Sequence, residues 1–180
     1  MTTARPSGAN TRPTITRPTT RGAVFIHCCP SALAPHVEWA LAGEIGRPVR
    51  LEWTSQPVTP MHLRAEADWT GSIGMAHKLA AALRPWPMLV FEITENGTSS
   101  SDGERLAYVP GRGFHRSTIS ANGDVLIGEE RIRGLLERAR TADDYAHGLA
   151  DLIGEAWDAE LEPYRRGGDG SPVTLLHQVV

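Results

Sequence analysis

The order of helical and strand patterns between residues 22 and 95 constrains the fold of this chain more than any other sequence feature. Alternating or continuous apolar runs predict strands, and apolar residues three or four positions apart predict helices. Strands are predicted at residues 23–29, 49–54, 63–69 and 88–94, and helices at residues 35–45 and 73–83. This β-α-β-β-α-β order is the pattern of a ferredoxin-like sandwich. The sequence therefore predicts an α+β fold with both helices on one face of an antiparallel sheet and the other face free.

The period-two alternation along each strand predicts which side chains face the helices. In residues 49–54 the odd-numbered side chains are apolar, and we expect them to face the core. In the first strand, the side chains assigned to the helix side are Val24, Ile26 and Cys28. Those assigned to the helix-free face are Phe25, His27 and Cys29. Ser72 is predicted to cap the second helix, because a serine just before an apolar helical stripe is a common N-cap.

The chain continues well beyond a minimal sandwich. A further strand is predicted at residues 105–108, a hairpin at 114–119 and 124–127, and a last strand at 173–180. Two helices are predicted, one at residues 129–140 and one that Thr141 caps and that continues through Trp157. The predicted buried side of the first of these helices consists of Ile132, Leu135, Leu136 and Ala139.

The domain organisation follows from composition. Residues 1–21 are rich in Thr, Pro and Arg and contain almost no large apolar side chain, so we expect them to be disordered. Residues 22–180 are predicted to form a single α+β domain. Within it, residues 22–97 are the ferredoxin-like core, and residues 98–180 form a C-terminal extension that covers part of that core.

The charge distribution argues against a nucleic-acid partner, and the length of the apolar runs argues against a membrane partner. The net charge is −3, and the first 22 residues contain four arginines and no acid, which leaves −7 on the remainder. A nucleic-acid-binding protein normally presents a basic face, so no nucleic-acid partner is expected. The first apolar run, residues 23–29, is far shorter than the ~20 residues of a membrane-spanning helix. We therefore predict a cytoplasmic protein with no membrane partner.

The string His27-Cys28-Cys29-Pro30 is the first candidate for metal or redox chemistry. A zinc or haem site requires several ligands at set spacings, and the sequence contains no second cysteine cluster to complete one. We expect no metal and no cofactor, and we expect the cysteines to be reduced apolar residues at the end of a strand. The alternative is a redox-sensitive thiol at Cys29, which precedes the first helix.

The helix-free face contains the only constellation that suggests catalysis. In the strand order 4-1-3-2 of a ferredoxin-like sheet, strands one and three are neighbours, which would place His27 beside Glu66 or Asp68. Glu52 and Glu92 would lie on the outer strands. A carboxylate next to a histidine raises the basicity of the imidazole, as general acid–base catalysis requires. The alternative is a buried structural ion pair beneath the C-terminal extension.

Several segments of the chain are distinctive in sequence. They include His36-Val37-Glu38-Trp39-Ala40, Leu51-Glu52-Trp53-Thr54, Asp102-Gly103-Glu104-Arg105, Ala121-Asn122-Gly123-Asp124, Trp157-Asp158-Ala159-Glu160-Leu161-Glu162-Pro163 and the ending Leu176-His177-Gln178-Val179-Val180. With these segments, residues 21–180 resemble a family of small actinobacterial cytoplasmic proteins known as a domain of unknown function. The resemblance implies no reaction, ligand or catalytic residue.

Two functions remain open from the sequence. The first is a non-enzymatic cytoplasmic binding or regulatory protein that acts on a protein partner or a small metabolite. The second is a small cofactor-independent hydrolase or isomerase that uses His27 with Glu66. A concave pocket that reaches His27 would favour the enzyme, and a covered sheet face would exclude that site.

Overall fold

The computed structural model describes residues 19–167 and has an α+β fold, as the sequence predicts. It consists of a seven-stranded antiparallel sheet and five α-helices. The predicted disordered segment up to residue 18 and the predicted strand at residues 173–180 lie outside the described residues.

The sheet has the strand order β2-β3-β1-β4-β5-β6-β7. Its strands are β1 (Thr19–Pro30), β2 (Thr54–Ser55), β3 (His62–Ser72), β4 (Val90–Glu95), β5 (Gly103–Val109), β6 (Gly113–Ile119) and β7 (Val125–Leu126). β1 is an inner strand, with β3 on one side and β4 on the other. Thr19 already pairs with Ser72 of β3, so the sheet includes residues 19–21, which the sequence places in the disordered segment.

The five helices are α1 (Ala34–Ile45), α2 (Met75–Leu83), α3 (Glu129–Arg138), α4 (Ala142–Ile153) and α5 (Glu155–Arg166). The prediction of one continuous helix from Thr141 through Trp157 was wrong. Gly154 has a φ of 82°, a left-handed conformation that ends α4 and redirects the chain into α5. The Thr141 cap is present, because its side chain accepts a hydrogen bond from the backbone N–H of Asp144.

The N-terminus of α2 is capped by a different residue from the one predicted. Ser72 belongs to β3, and Gly74 occupies the N-cap position. The carboxylate of Glu95 accepts hydrogen bonds from the backbone N–H groups of Gly74 and Ala76, at 2.7 and 2.9 Å. A carboxylate from a neighbouring strand thus satisfies the helix donors, which local sequence does not reveal.

One face of the sheet forms the main hydrophobic core with α1 and α2. Its largest fully buried side chains include Trp69, Phe91, Ile26, Leu41, Leu79, Leu83 and Ile93. These residues come from both helices and from the central strands. Because each helix contributes an apolar stripe, the predicted packing of residues 35–45 and 73–83 against the sheet is confirmed.

Most of the strand predicted at residues 49–54 does not pair with the sheet. Only Thr54 and Ser55 have ladder partners on β3. The carboxylate of Glu38 on α1 accepts hydrogen bonds from the backbone N–H of Leu51 and from Nε1 of Trp53, at 2.9 and 3.1 Å. These contacts draw the segment toward α1, although the alternation of buried and exposed side chains is retained.

The opposite face of the sheet is partly covered by α5. Leu161 of α5 is fully buried there, in a second cluster with Cys28, Val90, Ala107 and Val109. The α3 and α4 helices pack more loosely. Ile132 and Leu136, which the sequence predicts to be buried, are exposed, whereas Leu135 and Ala139 are buried as predicted. Among the described residues, no helix has the length and apolar character needed to cross a bilayer.

Candidate functional site

A β-bulge near the end of β1 determines where the candidate histidine lies. The pairing register shifts after Ile26 against both neighbouring strands. After the bulge, Cys29 faces the helix-side core and Cys28 joins the cluster under α5. The predicted parity was therefore wrong for these two cysteines, because one extra residue in a strand reverses the faces that follow it.

His27 is buried at this bulge and contacts a carboxylate on β4. Its Nε2 atom donates a hydrogen bond to Oε2 of Glu92 over 2.7 Å. Both residues are only 6% exposed. Glu92 was expected on an outer strand of the sheet, but β5, β6 and β7 extend the sheet beyond β4, so Glu92 lies on an inner strand next to β1.

The predicted partners of His27 were wrong. Glu66 and Asp68 lie opposite Phe25 and Ala23 on β3, and both carboxylates are exposed. The bulge removes the regular β3 partner of His27, and the imidazole contacts β4 instead. Glu52 is likewise exposed, in the segment that α1 draws away from the sheet.

Two arginines complete the coordination of Glu92. Arg165 of α5 binds the carboxylate with two hydrogen bonds, from Nε to Oε2 over 2.9 Å and from Nη2 to Oε1 over 2.7 Å. Arg105 of β5 donates from Nε to Oε1 over 2.6 Å. Asp158 of α5 accepts a hydrogen bond from each arginine. We refer to His27, Glu92, Arg105, Asp158 and Arg165 as the Glu92 network.

The Glu92 network favours the ionised forms of its two carboxylates and two arginines. Burial by itself would raise the pKa of Glu92, but the hydrogen bonds from His27 and Arg165 and the charge of Arg105 outweigh it, so the pKa lies well below its ordinary range. Burial likewise opposes the ionisation of Asp158, and the two arginines lower the pKa of that carboxyl. The carboxylates in turn raise the pKa values of Arg105 and Arg165 against the effect of burial.

This arrangement can hold α5 on the sheet, but it offers little to a substrate. Both oxygens of Glu92 accept hydrogen bonds, and its charge is matched by two partly buried guanidinium groups. Three surface cavities formed by described residues, one of them on the outer side of α1, are lined by neither His27 nor Glu92. A general base requires a free lone pair in contact with substrate. The geometry therefore corresponds to the structural alternative for His27.

The Glu92 network depends on residues that the sequence could not connect to His27. Arg105 lies on β5, and Asp158 and Arg165 lie two turns apart on one side of α5. The only local signal was this i, i+7 spacing of opposite charges on a helix. Gln56, which directly follows β2, also contacts His27, since its Nε2 donates a hydrogen bond to the backbone oxygen of His27 over 2.6 Å.

The two cysteines are buried and unpaired with each other. Burial raises the pKa of Cys29 to about 12, and burial also raises the pKa of Cys28. A reactive cysteine needs an accessible thiolate, which a raised pKa disfavours. The structure thus gives no support to a redox-sensitive thiol at Cys29. Within residues 19–167, no group of three or more His, Cys, Asp or Glu side chains is placed to hold a metal ion.

A different surface feature stands out on the outer side of α1. Trp39 is 65% exposed, and the edge of its ring meets the ring of His36 at a centroid distance of 5.1 Å. The indole borders a cavity of about 490 Å³. We call this cavity the Trp39 cleft; its lining is Trp39, Ala42, Gly43, Gly46, Arg47, Pro48, Val49 and Arg50.

The Trp39 cleft combines an apolar surface with two cations. Arg50 contacts Glu38 through one Nη1 hydrogen bond of 2.9 Å and is otherwise largely exposed. Gly43 and Gly46 form an open floor, where an added methyl group would meet no atom within 4 Å. Tryptophan side chains commonly anchor cores or interfaces, and the exposure of this indole excludes the core.

The chain matches the family described as Protein of unknown function (DUF3145) over residues 23–178. No curated protein and no solved structure matches it. Because the match covers well over half of the sequence, the chain belongs to that family, which confirms the resemblance to a domain of unknown function.

Proposed function

We propose that this protein is a non-enzymatic binding or regulatory protein that docks a protein partner on the Trp39 cleft. The observation that carries this proposal is the exposure of Trp39, at 65%, beside Arg47 and Arg50. Tryptophan and arginine are the residue types most enriched among the side chains that dominate protein–protein binding energy. A tryptophan that stays exposed in the free protein gains stabilisation when a partner covers it.

The chemistry of the cleft defines the partner. The indole favours an apolar side chain, and the two guanidinium groups favour carboxylates, since arginine binds carboxylates bidentately. The partner segment is therefore expected to contain an apolar anchor flanked by Asp or Glu. A small metabolite is less favoured, because small-molecule sites enclose most of the ligand surface and the floor of this cleft is open.

The enzymatic alternative, a hydrolase or isomerase that uses His27 with Glu66, has no support from the geometry. His27 is buried beneath α5 and bonds to Glu92, while Glu66 is exposed on the other neighbouring strand. A reaction at His27 would require α5 to leave the sheet and Arg165 to release Glu92. The covered face favours the binding function.

The same proposal includes the compartment, the source and the fold type. We propose that the protein is cytoplasmic and actinobacterial, on the sequence resemblance alone. We also propose that residues 22–97 are a ferredoxin-like core. The antiparallel order β2-β3-β1-β4 supports this assignment, and β5–β7 then extend the sheet beyond β4.

The test is a comparison of three baits in a lysate of the native host: the wild type, Trp39→Ala and Leu136→Ala. Leu136 is the matched control because it is a large apolar side chain, 57% exposed on α3, far from α1 in sequence. The expected result is a protein that co-purifies with the wild type and with Leu136→Ala but not with Trp39→Ala. Its purified form should bind the wild type at least ~10-fold more tightly than Trp39→Ala, a difference of ~1.4 kcal/mol.

Equal binding of that protein to the wild type and to Trp39→Ala would contradict the proposed surface. The acidic character of the partner is tested separately with Arg47→Glu. This charge reversal should weaken binding and reduce its dependence on salt, because the cation–carboxylate attraction is screened by ions.

A further inference from the structure

The histidine of β6, His115, lies beneath the junction of α4 and α5. Its ring packs against the indole of Trp157, with the two ring centroids 4.9 Å apart. Its Nε2 atom is buried and has no hydrogen-bond partner among the described residues. Because buried polar atoms in native proteins are almost always hydrogen-bonded, this nitrogen is unusual, and its protonation state matters for the packing around it.

Gly154, which joins the two helices, packs directly against the same end of the ring. A Cβ atom on Gly154 would lie 2.4 Å from Nε2 and 2.6 Å from Cδ2 of His115. No side chain fits there, and the φ of 82° at Gly154 also favours glycine. Because this packing keeps Nε2 out of contact with solvent, Nε2 gains contact with water when the helix junction moves away.

The two protonation states of His115 differ in what they require at this position. A neutral imidazole can carry its proton on Nδ1 and leave only a lone pair at Nε2, whereas a protonated imidazole carries an N–H at both nitrogens. A buried, charged N–H without an acceptor is more costly than an unused lone pair. The closed junction is therefore compatible with a neutral His115 and is destabilised by its protonation.

Three charged side chains on three elements act on His115: Arg105 of β5, Arg131 of α3 and Asp158 of α5. Burial lowers the pKa of His115 from its ordinary value of 6.5, the two arginines lower it further, and Asp158 raises it. Asp158 already accepts hydrogen bonds from Arg105 and Arg165. The surrounding charges thus favour the same neutral imidazole that the packing requires.

The α4 helix is held weakly, whereas α5 is held firmly. No residue of α4 is buried. The acidic and histidine side chains of α4, all exposed, are Asp143, Asp144, His147 and Asp151. By contrast, Leu161 of α5 is fully buried, and Arg165 binds Glu92. A helix that buries little opens at a low cost in free energy, so the junction can open on its α4 side while α5 remains on the sheet.

We propose that His115 is a pH-sensitive contact of the fold: its neutral imidazole holds the α4 end of the junction in place, and its protonation releases α4. This regulation is independent of the binding function proposed for the Trp39 cleft. A depressed pKa gives a stabilisation that is fully present above the ordinary value of 6.5 and is lost as the pH falls below that value toward the folded-state pKa. The release therefore precedes the loss of the Glu92 network, whose carboxyls have ordinary pKa values of 4.5 and 3.8.

Hydrogen exchange of the α4 amides, compared at about pH 7.5 and about pH 5.5 and corrected for the intrinsic exchange rate, tests the proposal. At the lower pH, an imidazole with a pKa of ~6.5 is ~10-fold more protonated than neutral, which limits the effect to about that factor. In the wild type, the α4 amides should exchange ~3- to 10-fold faster at the lower pH, and the β4 amides should not change. His115→Gln cannot take up the proton and should remove the effect. The matched control His147→Gln, at the exposed histidine of α4, should retain it.

Equal corrected exchange of the α4 amides at both pH values in the wild type would overturn the proposal, as would the same acceleration in His115→Gln. An acceleration that disappears only in His147→Gln would also overturn it, because the exposed histidine would then be responsible. If His115→Gln does not fold, NMR titration of the His115 ring replaces it, in the wild type and in Arg131→Gln. The midpoint should lie below 6.5 in the wild type and should rise in Arg131→Gln, which removes a cation. A wild-type midpoint at or above 6.5 would contradict the proposal.

Discussion

On the sheet face that α5 covers, Glu92 is the carboxylate that three neighbouring side chains bind. It is nearly inaccessible to water, and it accepts hydrogen bonds from His27, Arg105 and Arg165. A buried ion network of this kind contributes modestly when it is intact, but removing one member leaves the others as uncompensated buried charges. The contribution of Glu92 to stability is therefore best measured by removing its side chain.

Glu92→Ala is expected to lower the free energy of unfolding by about 3–5 kcal/mol, because Arg105 and Arg165 would lose their shared partner. Urea denaturation at neutral pH measures this change. Glu66→Ala is the matched control: this carboxylate is exposed, and its removal should change stability by less than about 0.5 kcal/mol. Similar losses for the two variants would show that burial does not distinguish the two carboxylates.

The Glu92 network also predicts an acid-sensitive stability. The folded-state pKa values of Glu92 and Asp158 are depressed from ordinary values of 4.5 and 3.8. A depressed pKa gives stability that is fully present above the ordinary pKa and is lost as the pH falls toward the folded-state pKa. The stability advantage of the wild type over Glu92→Gln should thus be constant from about pH 7 to 5 and should shrink from about pH 5 to 2. A gap that widens on acidification would contradict this account.

Cys28 and Cys29 are expected to be unreactive in the folded protein. Both side chains are buried, and burial raises the pKa of each thiol. Ellman's reagent should therefore label neither thiol at neutral pH in native buffer and both thiols in concentrated urea. Rapid labelling of one thiol in the native protein would restore the hypothesis of a redox-sensitive site.

At the scale of elements, α5 is the part of the C-terminal extension that closes the sheet face. Its Leu161 is fully buried, its Arg165 binds Glu92, and Nε1 of Trp157 donates to the carbonyl of Gly113 over 3.0 Å. One helix thereby contacts β1, β4, β5 and β6 or their ends. This coverage explains why His27 has no access to a ligand.

Leu161→Ala tests how strongly α5 is held. A fully buried leucine truncated to alanine should destabilise the protein by about 2–5 kcal/mol, through lost apolar burial and the cavity left behind. Leu136→Ala, at an exposed leucine of α3, should cost less than about 1 kcal/mol. Thermal or urea unfolding measures both variants, and equal costs would mean that α5 is not packed as described.

The helices and strands that were predicted correctly are those whose signal is local. The apolar spacing of Leu79 and Leu83 on α2 predicts a buried helix face without knowledge of any neighbour. The strand at residues 49–54 failed for a non-local reason, since Glu38 on α1 captures the backbone of Leu51. The break at Gly154 has a local signal, the glycine itself. The apolar spacing that continues to Trp157 nevertheless led to the prediction of one continuous helix.

The candidate site was less predictable than the fold because it depends on register. The sequence predicts that His27 lies on the helix-free face near carboxylates. The bulge after Ile26 determines which carboxylate it contacts. Arg165 lies 73 positions from Glu92, and no pattern in the sequence links them. The exposure of Trp39 likewise depends on what the remainder of the chain leaves uncovered.

At the scale of the whole molecule, one of the two candidate sites is buried and the other is exposed. The His27 site is covered by α5 and neutralised by arginines, which corresponds to a role in stability. The Trp39 cleft is open and contains an indole and two cations, and it is the surface on which we propose that a partner binds. Substitutions at His27 and at Trp39 are therefore expected to affect different properties.

The most direct measurement is the free energy of unfolding of His27→Ala and Trp39→Ala, determined by urea denaturation under identical conditions. His27→Ala should lose about 1–3 kcal/mol, because the buried Glu92 carboxylate loses a hydrogen bond. Trp39→Ala should remain within about 1 kcal/mol of the wild type, because its indole is largely solvent-exposed. A fully stable His27→Ala together with a strongly destabilised Trp39→Ala would contradict the account, since His27 would then be free for chemistry and Trp39 would be structural.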